Sequence, residues 1–296
     1  MGQNKRPALG GQLLILLAGS FWGSMGLFVR RLNALGFSSR QVACLRLTVG
    51  ALVFVLLLLI LDRKALKISP RDVPLFLGLG LLSVLFFTFC YFRAIELMPL
   101  ATAAILLYTS PIWVTLMAAL FFQERLTVRK LLALGLAFAG CVLVSGLSGG
   151  SLTFYGLLVG LGAGVGYALY SILGTVALRR YPPLTVTTWT FLFAALGSWF
   201  LSSPVSLFET MRTAPAGTLA WLIPGTAILT AVIPYLAYTK GLQSTEAGRA
   251  AILATVEPVV ATLLGALVFH EALSLTAMLG IALVLGSIAL LNTGGK

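Results

Sequence analysis

The sequence predicts an all-α integral membrane protein with ten transmembrane helices in two inverted five-helix repeats. Three observations carry this: the chain is 59% hydrophobic and only 9% charged, its apolar runs number ten, and one passage is written twice. Soluble domains carry about a quarter charged residues. At a mean hydropathy of +1.03 too few polar side chains exist to cover a water-surrounded core, so the apolar surface must face lipid. A helix across the hydrocarbon needs roughly 20 residues. Runs of that length fall near 11–29, 41–61, 73–95, 100–122, 130–147, 154–178, 184–202, 219–240, 247–269 and 275–292. The first follows Lys5 and Arg6 and lacks an A-x-A-like cleavage site, so it reads as a retained span and not a secretory signal. Ten spans put both termini on one side, and the basic lead assigns that side to the cytoplasm.

The duplicated passage is "YTSPIWVTLMAALFFQERLT" at 108–127 and "TVEPVVATLLGALVFHEALS" at 255–274. Pro111 and Pro258, Thr115 and Thr262, Phe122 and Phe269, and Glu124 and Glu271 coincide at one offset of 147. The same offset relates Tyr91 to Tyr238 and "AAIL" at 103–106 to "AAIL" at 250–253. Further out, Ala18 and Gly19 before Trp22 resemble Ala163 and Gly164 before Tyr167. The repeats are therefore 1–147 and 148–296, forming one transport unit.

Five helices is an odd number, so the second copy enters the membrane from the opposite side. The charges agree: Arg125, Arg129 and Lys130 follow span four, whereas "FHEALSLTA" after span nine holds no Lys or Arg. Arg30, Arg31 and Arg40 argue the other way, on the expected outer side. Two similar bundles of opposite orientation can open a shared site alternately to each face, which is the logic of a secondary transporter. A passive pore and a scaffold are the alternatives.

An intramembrane enzyme acting on a lipid-linked substrate is the rival from another class. It needs convergent titratable groups, and there are one His and eight acids, with no H-E-x-x-H and no Walker motif. His270 and Glu271 are neighbours in sequence and point to different helix faces. No catalytic group, metal or cofactor is expected. The net charge of +12 is spread over inter-span clusters, so nucleic acid is not an expected partner. Cys44, Cys90 and Cys141 lie in apolar runs at no ligand spacing and read as packing residues.

Aromatic residues point to a cavity. Trp22, Tyr108, Tyr167 and Tyr170 lie deep in their spans, where a polar tip needs a partner that a hydrated substrate pocket supplies. The other reading is a packed aromatic core. Tyr91 and Tyr238, at mirrored depths, read as paired gates or as ordinary interfacial aromatics. Gly156, Gly160 and Gly164, with Gly162 and Gly166 between them, predict close helix packing on span six. Pro234 removes a backbone hydrogen bond and is expected to kink span eight near the gate.

"SPIWVTLMAALFFQERLT" and "EPVVATLLGALVFHEALS", each a Pro-containing helix ending in Glu, resemble the EamA-type repeats of the drug/metabolite transporter superfamily. Within it the chain looks most like the aromatic amino-acid exporter (YddG-like) branch. The resemblance covers essentially the whole chain. It implies a bacterial inner-membrane exporter of amino acids and related small amphipathic metabolites, with the solute held between the halves and spans five and ten at the periphery. Cationic drugs and other metabolites are also substrates within the superfamily. Glu257 shares a face with Ala250, Ala254, Ala261 and Gly265, which favours helix packing. Its functional alternatives are a proton-coupling acid or an anchor for a substrate amine.

Overall fold

The computed structural model describes residues 9–146 and 153–292. Lys5, Arg6 and the repeat boundary at 147–148 lie outside them. The described residues are helical, without strands, and contain ten helices long and apolar enough to span a membrane. These are Leu9–Ala34, Ser39–Leu61, Pro70–Leu97, Ala101–Phe122, Val128–Ser145, Phe154–Ala177, Pro183–Leu201, Ala216–Leu242, Ala247–Phe269 and Leu275–Asn292. A further short helix, Pro204–Thr213, connects spans seven and eight. Outward-facing Ile60, Leu120 and Phe200 are fully apolar, as lipid contact requires.

Polar contacts at the span ends follow strict alternation. Arg249, entering span nine, bonds Leu291 O and Asn292 Oδ1 at the end of span ten. Asp72 at the start of span three pairs with Arg180 before span seven. At the opposite end Arg30 pairs with Glu271, and Arg40 with Glu96. Two of the three cations that ran against the charge rule therefore have acids beside them at their own end.

Backbone irregularities come in pairs related by the sequence offset. Spans four and nine, expected as continuous helices, are each two half-helices: Leu100–Leu107 with Ser110–Phe122, and Ala247–Ala254 with Val256–Phe269. The cause is local, because Pro111 and Pro258 have no N–H for the carbonyls of Leu107 and Ala254 four residues earlier. Each second half then ends on a left-handed residue, Gln123 (φ 57°) and His270 (φ 54°). The following Glu N–H turns back to Ala118 O or Gly265 O, a helix stop that glycine usually provides. Spans three and eight both widen to π-helical spacing, over Gly78–Leu85 and Ile228–Val232. The expected disturbance at Pro234 thus takes the form of a π-helical turn just ahead of it. Span one is also interrupted, at Ser24 between Leu9–Gly23 and Met25–Ala34, where a single helix was expected.

Glycines let other helices close on these breaks. A Cβ at Gly19 would lie 2.9 Å from Ala254 O, and one at Gly164 would lie 3.0 Å from Leu106 O. The same device therefore docks span one on the break of span nine and span six on the break of span four. Gly162 and Gly166 use another face of span six, against Cys90 and the Phe87 backbone of span three. Gly164→Leu should destabilise by roughly 1–3 kcal/mol through overpacking. Gly135→Leu, at a site with open space, should leave the thermal midpoint almost unchanged; equal melting of the two variants would disprove the close-approach account.

Candidate functional site

Trp22 ends the first half of span one and stands at the centre of an aromatic cluster. Its ring centroid lies 5.9 Å from Tyr167, 5.3 Å from Tyr235 and 5.4 Å from Tyr238. Tyr170 meets Tyr235 edge-on at 5.1 Å, and Phe87 meets Tyr167 at 5.7 Å. Two of the polar tips are hydrogen-bonded: Tyr170 Oη lies 2.6 Å from Thr239 Oγ1, and Tyr238 Oη lies 2.7 Å from Ser171 Oγ. Trp22, Tyr167, Tyr170, Tyr235 and Tyr238 line one cavity together with Ser83 and Ser171.

A second cavity shares Tyr167 with the first and adds Tyr108, Ser110, Thr255 and Glu257. Each measures about 10 Å³, close to the room one water molecule needs, so the site is closed down around its aromatic walls. The two helix breaks meet here. Ser110 and Glu257 occupy equivalent places in the first turns of their second half-helices, and a carboxylate there lies at the positive end of a helix dipole. Glu257 lines the cavity, while Gly23 of span one packs on its backbone oxygen. Among the described residues its carboxylate has no hydrogen bond or ion pair. Packing therefore involves the Glu257 backbone, and the side chain is left to the cavity.

The structure brings Trp22, Tyr167, Tyr170 and Tyr238 together and places Tyr108 and Glu257 next door. Tyr91 is half-buried at the edge of the cluster, stacked at 5.9 Å on Phe87, which in turn meets Tyr167. Pro234 directly precedes the cavity residue Tyr235. Tyr238 is fully buried in the Trp22 cluster, so the two members of the Tyr91 and Tyr238 pair have unlike surroundings. Sequence reasoning missed Tyr235, although it lies three residues before Tyr238, one helical turn away. It also missed Arg46, a cation inside an apolar span and for that reason alone a functional candidate. Arg46 is 5% exposed. Its Nη1 lies 3.0 Å from Met25 Sδ and 3.4 Å from Thr230 O, the carbonyl that the missing N–H of Pro234 leaves free.

Below the cavity, at the end where span one begins and span ten ends, sits an ionic cluster built on a buried Lys130 and Glu124 pair. Lys130 Nζ lies 2.6 Å from Glu124 Oε2 and 3.4 Å from Glu246. Glu124 also accepts hydrogen bonds from the N–H groups of Ala247 (2.8 Å) and Gly248 (3.2 Å), capping span nine from another helix. Its repeat counterpart Glu271 is half-exposed at the opposite end, beside Arg30 at 2.6 Å. Among the described residues no group of three His, Cys, Asp or Glu side chains could hold a metal.

A solved crystal structure shares this fold with a TM-score of 0.80 over 96% of each chain at 22% identity. In sequence the chain is 31% identical to an uncharacterized transporter of Archaeoglobus fulgidus over 94% of each protein. It is 24% identical to the uncharacterized transporter YvbV of Bacillus subtilis over 86% of this chain and 82% of that one. A shorter stretch, 39% of each chain, is 34% identical to the pseudopaline exporter CntI of Pseudomonas aeruginosa. The model of the EamA-like transporter family matches twice, at 9–146 and 154–293, with each match containing one of the two proline-broken spans and one left-handed stop. Two family matches laid end to end across almost the whole chain make this protein a membrane transporter of the EamA-like family.

Proposed function

We propose that the protein is a secondary transporter exporting amino acids and related small amphipathic metabolites across the bacterial inner membrane by alternating access. The observation that carries this reading is a pair of adjoining central cavities: one has aromatic walls from spans one, six and eight, and the other, across Tyr167, is lined by an unpaired carboxylate at a half-helix N-terminus. Aromatic faces take the apolar part of such a solute, and Glu257 takes its amine. Discontinuous helices meeting at mid-membrane are a recurring way to build a transport site.

The two repeats, 1–147 and 148–296, run oppositely through the membrane and enclose the site. The end with both termini is cytoplasmic, since Arg63, Lys64, Lys67, Arg71, Arg125 and Arg129 all lie there. At that end the Glu124 and Lys130 cluster locks span four to span nine, with Tyr238 closing the path above it. At the outer end Tyr91 is the second gate. When the transporter turns inward, the Glu124 contacts open, and the outer end closes around Tyr91.

Counterflow in proteoliposomes tests the reading. With unlabelled amino acids inside, labelled phenylalanine, leucine or methionine should accumulate transiently and saturably. Flux that rises linearly with concentration, with no counterflow, would instead mark a passive pore. Saturable exchange of cationic drugs without exchange of amino acids would retain the transporter and reject the substrate.

A further inference from the structure

We propose that Arg46 is the carboxylate anchor of the central site, so that the transported solute is a zwitterion with its carboxylate on Arg46 and its ammonium on Glu257. The proposal rests on the transport reading above and adds the charge pattern of the solute.

The Arg46 side chain and the Glu257 backbone both meet one short piece of span one. Across residues 22–25, Trp22 forms the aromatic wall, Gly23 packs on the Glu257 backbone oxygen, and Met25 Sδ lies 3.0 Å from Arg46 Nη1. Ser24, where span one is interrupted, lies between the Glu257 contact and the Arg46 contact. Arg46 and Glu257 are near enough to interact electrostatically, as are Arg46 and Tyr235 of the cavity wall. Nevertheless they form no ion pair with each other, and neither finds an opposite charge elsewhere among the described residues.

Arg46 leaves one of its own buried donors unsatisfied. Here Nη1 serves the Thr230 carbonyl, whereas Nε is buried with no hydrogen-bond partner. An unpaired donor on a buried cation is costly at this depth. A carboxylate supplies what is missing, because its two oxygens accept parallel bonds from the guanidinium fork. Glu257 has the complementary need, which an ammonium meets. One ligand carrying both groups neutralises both residues without bringing them together, and the rings of Trp22 and Tyr235, which meet edge-on beside these contacts, take its side chain. A polyamine or cationic drug would leave Arg46 unsatisfied, and a simple carboxylic acid would leave Glu257 so.

The test is displacement of a labelled amino acid from purified protein by three matched series: phenylalanine, leucine and methionine; the corresponding amines lacking the carboxylate; and the corresponding acids lacking the amine. Wild type should prefer the amino acids by at least about tenfold over both truncated series, the scale of one lost charged contact. Arg46→Gln should lose that factor for amino acids while leaving the amines unchanged, Arg46→Lys should recover part of it, and Glu257→Gln should spare only the acids. Equal loss across all three series in Arg46→Gln would make the arginine structural and overturn the proposal. So would wild-type binding of amines as tight as that of amino acids, a comparison that needs no variant to fold. Either result leaves the transport reading standing, which fails separately if counterflow is absent for every solute.

Discussion

Glu124→Gln lowers the thermal midpoint of the purified protein by several degrees, whereas Glu271→Gln at the equivalent position of the other copy leaves it nearly unchanged. The side chains of Glu124 and Lys130 are 9% and 6% exposed, against 50% for Glu271. Breaking a buried pair by removing one partner costs roughly 3–5 kcal/mol, because the other charge stays desolvated. An exposed pair is worth at most about 1 kcal/mol. The variant also weakens the cap on the Ala247 and Gly248 N–H groups, so the end carrying the termini opens more often. Thr245, buried beside span one at this end, provides the readout. A Thr245→Cys reporter in a background without Cys44, Cys90 and Cys141 should react faster with maleimide when Glu124 is Gln. Unchanged labelling together with equal melting of the two Gln variants would reject Glu124 as a lock.

Trp22→Ala abolishes solute binding and costs roughly 3 kcal/mol of stability, the scale of an aromatic truncation in a packed site. The indole touches Tyr167, Tyr235 and Tyr238, from spans six and eight, so its removal takes away the common wall of the cavity. Trp22→Phe keeps an aromatic face and should retain most of the binding while losing part of the stability. Displacement of labelled amino acid, read beside thermal melts, separates the two effects. If Trp22→Ala binds normally despite a lower midpoint, the cluster is a packed core and not a solute site.

Much of the architecture was legible because its causes are local. Composition dictates lipid exposure, run length dictates the spans, and Pro111 and Pro258 each deny a bond to a carbonyl four residues earlier. The breaks themselves went unread because both flanking segments remain apolar and helical, and a hydropathy pattern carries no mark of one unwound residue. The aromatic site was partly legible: depth singled out Trp22, Tyr108, Tyr167 and Tyr170. Tyr235 was hidden beside Pro234, where the proline drew attention to the backbone. Arg46 was hidden among cations counted only as signals of orientation.

Glu124 and Glu271 mark the division most clearly. Sequence by itself determined that each copy ends its broken helix with the same left-handed stop and a following Glu, since helix termination depends on neighbours within a few residues. Only the tertiary structure decided that Glu124 is buried against Lys130 and the start of span nine while Glu271 stays at the surface with Arg30. It likewise decided that Glu257 lines the cavity that adjoins the aromatic one across Tyr167. Burial and partnership depend on groups as far as 241 residues away and on which end of the protein is closed. Two passages of one repeat therefore hold their equivalent acids in opposite environments.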